Sequence, residues 1–267
     1  MKPLAFAAVL LAATTSFAGV SQPLGSHFQV LIPGAGSTAG ANNTFFRSDI
    51  TIVNLLPRNQ VVRLQWLSQN GTSNLVRFIE IPASSGLRSA DFVAEALGTT
   101  GLGAIIVSAM TGSTGSVDPT AQLYVSARIW TPQPGTAGTT SQSFPVIPTN
   151  TIDTPRAALF AVGGGPSPDN SDNYRVNVGV VNLDPVNSQT FTVFIPTPTP
   201  VGQTVTLPPM SMTQVTVGSG NAPSTQVIVQ NDTPSGTRSN NWITYQSTVD
   251  NITGDAWSEL GVPGSAQ

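Results

Sequence analysis

The sequence predicts an all-β protein built from two tandem antiparallel β-sandwiches. Three observations support this prediction: apolar and polar residues alternate with a period of two, turn-forming residues recur about every eight to twelve positions, and the chain repeats itself. The composition agrees, since 39% of the 267 residues are hydrophobic and only 9% are charged. With no Gly-X-Y period among its 25 Gly and with no Cys, the chain is neither a collagen nor a disulfide scaffold.

An internal repeat defines the two predicted domains. Three stretches recur: 46–59 with 174–187, 81–82 with 207–208, and 123–129 with 243–249. The first match is ungapped at an offset of 128, and the shrinking offsets of the others indicate shorter loops in the second copy. A repeat of more than about 100 residues indicates two domains rather than a solenoid. We therefore predict sandwiches over residues 28–147 and 156–263, joined by a polar, proline-containing linker at 148–155.

The alternation assigns strand faces within each copy. Ile50 and Ile52 fall on one face of the first repeated strand, and Val178 and Val180 take the same positions in the second copy. The later strand of the first copy has a core face, formed by Leu123, Val125, Ala127 and Ile129. Each of the two repeated strands ends in an Asn that is followed three residues later by a Pro: Asn54 and Pro57 in the first copy, Asn182 and Pro185 in the second. This spacing predicts an Asx turn at the end of the strand.

One segment breaks the period of two and predicts a short helix in the first domain. Residues Ser89–Leu97 have Ser as a helix-capping residue, an acidic first turn, and apolar residues at helical spacing. Gly98 follows as the expected C-terminal cap.

Three segments give the chain a resemblance to known proteins: Phe46–Asn54, Tyr174–Asn182 and Tyr245–Asp255. The first reads Phe-Arg-Ser-Asp before alternating apolar residues and an Asn, and the second reads Tyr-Arg-Val-Asn before a similar run. Together they resemble paired immunoglobulin-like β-sandwich segments of secreted bacterial proteins of unknown function. The resemblance covers most of the chain, implies an immunoglobulin-like fold, and implies neither an activity nor any functional residue.

The N-terminus predicts export. Residues 1–18 contain a charged start, an apolar run of about ten residues, and small residues at Ser16 and Ala18, which is typical of a signal peptide cut after Ala18. The run is too short to cross a bilayer, and no other stretch predicts a membrane span. We therefore expect a secreted or periplasmic protein that associates with the cell surface or is released.

The inventory of reactive side chains argues against most enzymes. The sequence has no Cys, a single His at position 27 and one Lys, which lies within the predicted signal peptide. Most of the residues that form nucleophile–base pairs and zinc sites are therefore missing. The nine Arg form no cluster, which argues against nucleic-acid partners. A carboxylate-based hydrolase using two of Glu80, Glu95 and Glu259 is the third-ranked function, behind the two non-enzymatic ones.

Calcium is the one cofactor that the residue types leave open. Two Asx-rich loops offer oxygen ligands, with Asp169 and Asp172 in one and Asp250 and Asp255 in the other. Neither loop has EF-hand spacing, and Asx-rich loops also form their own side-chain-to-backbone turns. The loops are therefore predicted as ordinary turns, with calcium as the alternative.

Three aromatic residues are candidates for a glycan platform. By the alternation, Tyr124 and Trp130 fall on the face opposite the core residues of their strand, and Trp242 takes the corresponding outer position in the second copy. Such residues also seal packing contacts between domains. Two functions are thus carried forward: a non-catalytic structural, adhesive or scaffolding module at or outside the cell surface, and a carbohydrate-binding module that uses the exposed aromatics. The expected partner is an extracellular glycan or a surface protein.

Overall fold

The computed structural model describes residues 25–40, 44–133, 137–155, 157–162, 174–195, 201–219, 225–250 and 254–264. Strands dominate these residues, and every pairing between two named strands is antiparallel. The all-β prediction is therefore confirmed. The predicted signal peptide at 1–18 lies outside the described residues and stays a prediction.

The first half of the chain, residues 25–148, forms ten strands: β1 Ser26–His27, β2 Gln29–Ala39, β3 Phe45–Asn54, β4 Gln60–Ser68, β5 Asn74–Ile81, β6 Gly86–Ser89, β7 Gly101–Met110, β8 Leu123–Pro132, β9 Thr139–Phe144 and β10 Ile147–Pro148. Two layers result, β2-β7-β4-β5 and β1-β8-β3-β6. The end of β2 also pairs with β3 and joins the layers at one edge. Strand β9 extends the layer of β8, and β10 pairs with β2.

The second half, residues 157–264, forms nine strands: β11 Ala157–Val162, β12 Tyr174–Asn182, β13 Gln189–Ile195, β14 Val201–Leu207, β15 Ser211–Ser219, β16 Thr225–Asn231, β17 Trp242–Asp250, β18 Ala256–Leu260 and β19 Val262–Gly264. Their orders are β14-β13-β16-β11-β19 and β15-β12-β17-β18. Strands β11 to β18 repeat the pairings of β2 to β9 except that between β2 and β3, since β11 and β12 lie in separate sheets. Strand β19 lies beside β11 as β10 lies beside β2. The internal repeat therefore extends to the pairing of the strands.

This strand order does not confirm the immunoglobulin-like part of the prediction. In an immunoglobulin sandwich the last two strands lie side by side in one sheet. Here β7 and β8, the last two of the eight strands that form the two layers, lie in different layers, and β8 pairs with β3 instead. The order 1-8-3-6 facing 2-7-4-5 is that of a jelly roll. Alternation and turn spacing predict strands, but they carry no information on which strands become neighbours.

Each half encloses its own apolar core. The first core lies between the layers and includes Ile52 and Trp66, and the second includes Val180 and Phe191; these side chains are at most 1% exposed. The predicted core faces of β3 and β12 are thus confirmed. Burying one such side chain stabilises the fold by about 1.5–3 kcal/mol.

The predicted helix is shorter in the structure. Strand β6 runs through Ser89, and a single π-helical turn covers Val93–Leu97, with Gly98 at a φ of 69° as its C-terminal cap. Both ends of this turn, Val93 and Leu97, are buried against the first core. The Ser89 hydroxyl accepts a hydrogen bond from the Asp91 N–H at 3.2 Å, so Ser89 makes a turn before the helix rather than capping it. A second, 3-10 turn covers Thr149–Thr151 within the predicted linker.

A buried asparagine closes the same corner in each half. The Asn54 side-chain amide donates to the carbonyls of Arg58, Ile81 and Pro82 at 2.7, 3.3 and 3.0 Å, and its oxygen accepts from the Leu56 N–H at 3.1 Å. This side chain ties β3 to the turn before β4 and to the end of β5, and the Asx turn predicted at Asn54 is confirmed.

The Asn182 network repeats that of Asn54. Its amide donates to the carbonyls of Asn187, Leu207 and Pro208 at 3.2, 3.2 and 2.9 Å, and its oxygen accepts from the Asp184 N–H at 3.0 Å. Both asparagines are fully buried. Leu207 and Pro208 are the residues that the sequence repeat matched to Ile81 and Pro82.

The two halves meet through a third apolar cluster. The first half contributes Leu31, Leu67, Ala104, Ile106, Phe144 and Ile147, and the second contributes Val181, Met212, Ile243 and Tyr245. Two backbone hydrogen bonds add to this contact: the Asn70 N–H of the first half donates to the Met212 carbonyl at 2.7 Å, and the Thr154 N–H of the connecting segment donates to the Asn240 carbonyl at 3.0 Å. The outer face of the β12–β17 layer is therefore covered by the first half.

Candidate functional site

The outer face of β8 is the first candidate surface. Tyr124 is 45% exposed there and lies opposite Val53 of β3. Trp130 lies six residues further along the same face, about 20 Å away at the rise of a β-strand. The two aromatic side chains predicted for this face are therefore on it, at opposite ends of the strand.

Trp130 is held in protein contacts. Its indole N–H donates to the Ala90 carbonyl at 2.7 Å, and the Arg47 guanidinium lies 5.5 Å from the centre of its ring. Arg47 also lies 4.7 Å from the centre of the Phe45 ring. A sugar cannot stack on a ring face that a guanidinium already covers, so Tyr124 is the better platform of the two.

The structure corrects the placement of Trp242. This residue is fully buried in the second core, with its ring centre 5.0 Å from that of Phe191. In the pairing, Trp242 lies opposite Asn182 as Leu123 lies opposite Asn54. Trp242 is therefore the equivalent of the core residue Leu123, and the sequence match of residues 123–129 to 243–249 is one residue off. A slip of one residue moves every side chain of a strand to the other face.

A charged cluster occupies the outer face between Tyr124 and Trp130. Asp49 accepts hydrogen bonds from Arg88 Nη2 at 2.8 Å and from Arg128 Nε at 3.0 Å. The hydrogen bond from Arg88 is the main cause that lowers the pKa of Asp49 below its ordinary value, with Arg128 adding to it against the opposing effect of burial. With Ser126 and Ser143, these groups line a shallow depression of about 490 Å³.

Two of the four calcium candidates lie among the residues that the structure describes. Asp169 and Asp172 lie outside the described residues. The Asp250 N–H donates to the Asp255 carbonyl at 2.8 Å, and the Gly254 N–H donates to the Asp250 carbonyl at 2.9 Å. Among the residues that the structure describes, no three His, Cys, Asp or Glu side chains group closely enough to hold a metal ion.

The three glutamates considered for a hydrolase are hydrogen-bonded to neighbouring side chains or exposed to solvent. Glu80 accepts from the Asn59 amide at 2.7 Å, and Glu95 accepts from the Ser89 hydroxyl. Glu259 is exposed on β18. The single histidine, His27, pairs its backbone with Leu123 as part of the two-residue strand β1.

A cleft between the two halves is the second candidate site. It has a volume of about 360 Å³. Its wall combines aromatic and aliphatic side chains with hydroxyl and amide groups, chiefly Phe46, Phe144, Gln69, Asn177, Gln214 and Ser247. Ligand sites for small molecules commonly enclose about 300–1,000 Å³ and combine apolar walls with a few polar groups.

Gln142 ties the two sides of the cleft together. Its side-chain oxygen accepts from the Ser247 hydroxyl at 2.9 Å, and its amide nitrogen donates to the Trp257 carbonyl. Both partners belong to the second half, whereas Gln142 belongs to β9 of the first. The cleft is thus framed by hydrogen bonds that cross between the halves.

Tyr245 lines the buried side of the cleft. Its ring packs edge-on against Phe144, with the ring centres 5.3 Å apart, and the side chain is fully buried. The hydroxyl has no hydrogen-bond partner among the described residues. Burial raises the pKa of this hydroxyl above its ordinary value, so it stays protonated.

The position of Tyr245 depends on Gly179, its partner across β12 and β17. A Cβ at Gly179 would come within 2.1 Å of the Tyr245 ring, so only glycine allows the ring to lie over this strand. Sequence reasoning missed this site. A glycine inside a strand, such as Gly179, marks a close approach of another group and was the available signal.

No protein-family model matches the chain, and no curated protein matches it. Within the described part of the chain, no helix is both long and apolar enough to cross a membrane. Function is therefore inferred from the side chains and their surroundings alone.

Proposed function

We propose that the protein is an exported, non-catalytic structural or adhesive module, formed by two tandem β-sandwich domains, that acts at or outside the cell surface. The observation that carries the proposal is the buried contact between the halves, since ten apolar residues and the hydrogen bonds beside them fix one half against the other. A fixed arrangement of two domains suits a scaffold, which must hold its attachment points apart. The sequence resemblance to paired sandwich segments of secreted proteins agrees with the export part of the proposal and implies no activity.

Export is tested by fractionating the cells that produce the protein. We expect the secreted or periplasmic protein to begin at Gly19, as measured by mass spectrometry of its N-terminal peptide. A soluble cytoplasmic pool that keeps Met1 would contradict the export part of the proposal.

The structural or adhesive role is tested by deleting the gene and measuring attachment of the cells to surfaces and to each other. We expect attachment to fall, and to recover when either the wild-type gene or a Tyr124→Ala variant is supplied. Unchanged attachment after deletion would overturn the adhesive role.

Glycan binding at Tyr124 is the second candidate, favoured by the 45% exposure of its ring beside the polar depression around Asp49. If this candidate is right, Tyr124→Ala abolishes retention on insoluble polysaccharide. Phe78→Ala is the matched control, because Phe78 is an equally exposed aromatic on β5 of the same half. Loss of retention in both variants would indicate nonspecific adsorption and would remove this candidate.

A further inference from the structure

We propose that the cleft between the two halves binds a neutral saccharide, which the Tyr245 hydroxyl contacts by a hydrogen bond. This site is separate from the exposed aromatics of β8. It does not depend on the scaffold role, since a scaffold with or without a ligand keeps the same cleft.

The cleft selects against charge. Among the described residues that line it, no side chain is an acid, a lysine, an arginine or a histidine. A charged ligand entering such a site would lose its hydration without gaining an opposite charge. The site therefore favours a ligand that is neutral at physiological pH.

The unpartnered hydroxyl of Tyr245 points to a ligand that brings hydrogen-bonding groups. Buried hydroxyls in folded proteins are nearly always hydrogen-bonded, because an unpaired polar group in a dry environment is costly. Gly179 makes room for this side chain, and Phe144 holds its ring in place. An apolar ligand would leave the hydroxyl unpaired, whereas a hydroxylated ligand would satisfy it.

The rest of the wall matches a saccharide. The amides of Gln69 and Gln214 each offer donors and an acceptor, as sugar hydroxyls do, and the partly exposed ring of Phe46 offers apolar surface for sugar C–H groups. The Asn177 oxygen accepts from the Thr216 hydroxyl at 2.8 Å, which orients this amide in the wall. Alternating hydroxyl and C–H surface on one neutral molecule is the defining chemistry of a saccharide.

The test titrates the purified protein with glucose, galactose, mannose, N-acetylglucosamine and their disaccharides, using calorimetry and saturation-transfer NMR. We expect at least one neutral sugar to bind saturably, and glucuronic acid to bind at least about tenfold more weakly because it carries a charge. Tyr245→Phe keeps the ring and removes only the hydroxyl, so the affinity should fall by about three- to tenfold, the range for one neutral hydrogen bond. Gln214→Leu should weaken binding by a similar factor.

Two controls make the result decisive. Tyr124→Phe removes a hydroxyl outside the cleft and should leave affinity unchanged, and Tyr245→Phe should melt at or above the wild-type temperature, because the lost hydroxyl has no partner in the unliganded fold. Sugar binding that survives Tyr245→Phe and disappears in Tyr124→Ala would overturn the proposal and place binding on β8. No saturable binding by any neutral sugar, or binding of a neutral Gly-Ser peptide in place of sugars, would also overturn it.

Discussion

Strands β8 and β17 are equivalent in the two halves, yet they are buried in different ways. Strand β8 covers the first core with Leu123 and leaves Tyr124 45% exposed on its other face. Strand β17 is buried on both faces, because Trp242 packs in the second core while Ile243 and Tyr245 pack against the first half. The outer face of β17 is therefore buried because the first half of the chain covers it. Tyr124, on the equivalent face of β8, is exposed.

This difference explains the one-residue error in aligning the two strands. Alternation fixes the face of a strand only where one side is apolar and the other is polar. In β8 the two faces differ in that way, but in β17 the core face carries Thr244 and Gln246 and the covered face carries Ile243 and Tyr245. The apolar residues of β17 therefore favoured the wrong register.

The largest expected difference between the two strands is in the effect of truncating their aromatic residues. We expect Trp242→Ala to lower the free energy of unfolding by about 3–5 kcal/mol, the range for an aromatic side chain removed from a packed core. Tyr124→Ala should change it by less than about 0.5 kcal/mol, as is usual for exposed positions. Urea denaturation of both variants measures the contrast. Similar losses in the two variants would mean that the faces of β17 are assigned wrongly.

The two asparagine corners should respond alike, because they make the same bonds. We expect Asn54→Ala and Asn182→Ala each to cost about 2–4 kcal/mol, since three carbonyls in each corner lose their donor and become partly unpaired. Asn74→Ala is the control, because Asn74 is an exposed asparagine on β5 of the first half. If either corner variant is as stable as the control, that corner does not hold its half together.

A smaller difference in stability is expected between the Asn54 corner and the Asn182 corner. The Asp184 carboxylate accepts from the N–H groups of Val186 and Asn187 at 2.8 and 2.7 Å, whereas the equivalent residue in the first half is Leu56. We expect Asp184→Leu to cost about 1–2 kcal/mol, similar to the loss of a helix cap. Asp232→Leu is the comparison, because Asp232 is an exposed aspartate of the same half, and it should be close to neutral. Equal stability of the two variants would mean that the extra bonds at Asp184 add nothing.

The smallest expected effect is the acid sensitivity of the second corner. Burial raises the pKa of Asp184, but the bonds from the Asn187 and Val186 N–H groups outweigh it, and the folded-state pKa lies below 3.8. A lowered folded pKa contributes stability above the unfolded value that is lost as the pH falls through the folded one. The stability of the wild type relative to Asp184→Asn should thus be constant from neutral pH and shrink below 3.8. A difference that does not change with pH down to about 2.5 would contradict this linkage.

Local features of the fold were predictable from sequence, and features set by neighbours were not. The core faces at Ile52 and Val180, the Asx turn at Asn54 and the cap at Gly98 each follow from a few adjacent residues, and the structure contains them. The sheet order and the burial of Tyr245 follow from which strands and halves meet. Gly179 signals a close approach to its strand but does not specify which group approaches, so the cleft was not predicted.

The central claim is that the first half covers the outer face of β17 in solution, and one crosslink tests it most directly. The Ser258 hydroxyl of β18 donates to the Ser143 carbonyl of β9 at 2.5 Å, and the chain has no Cys, so a Ser143→Cys, Ser258→Cys pair is free of competing thiols. We expect mild oxidation of the folded double variant to form an intramolecular disulfide nearly completely, as measured by mass spectrometry, because the hydrogen bond between Ser258 and Ser143 places the two residues in direct contact. The single-Cys variants should form only slow intermolecular dimers. A double variant that stays reduced, or that forms only intermolecular disulfides, would contradict the covered face and the cleft beside it.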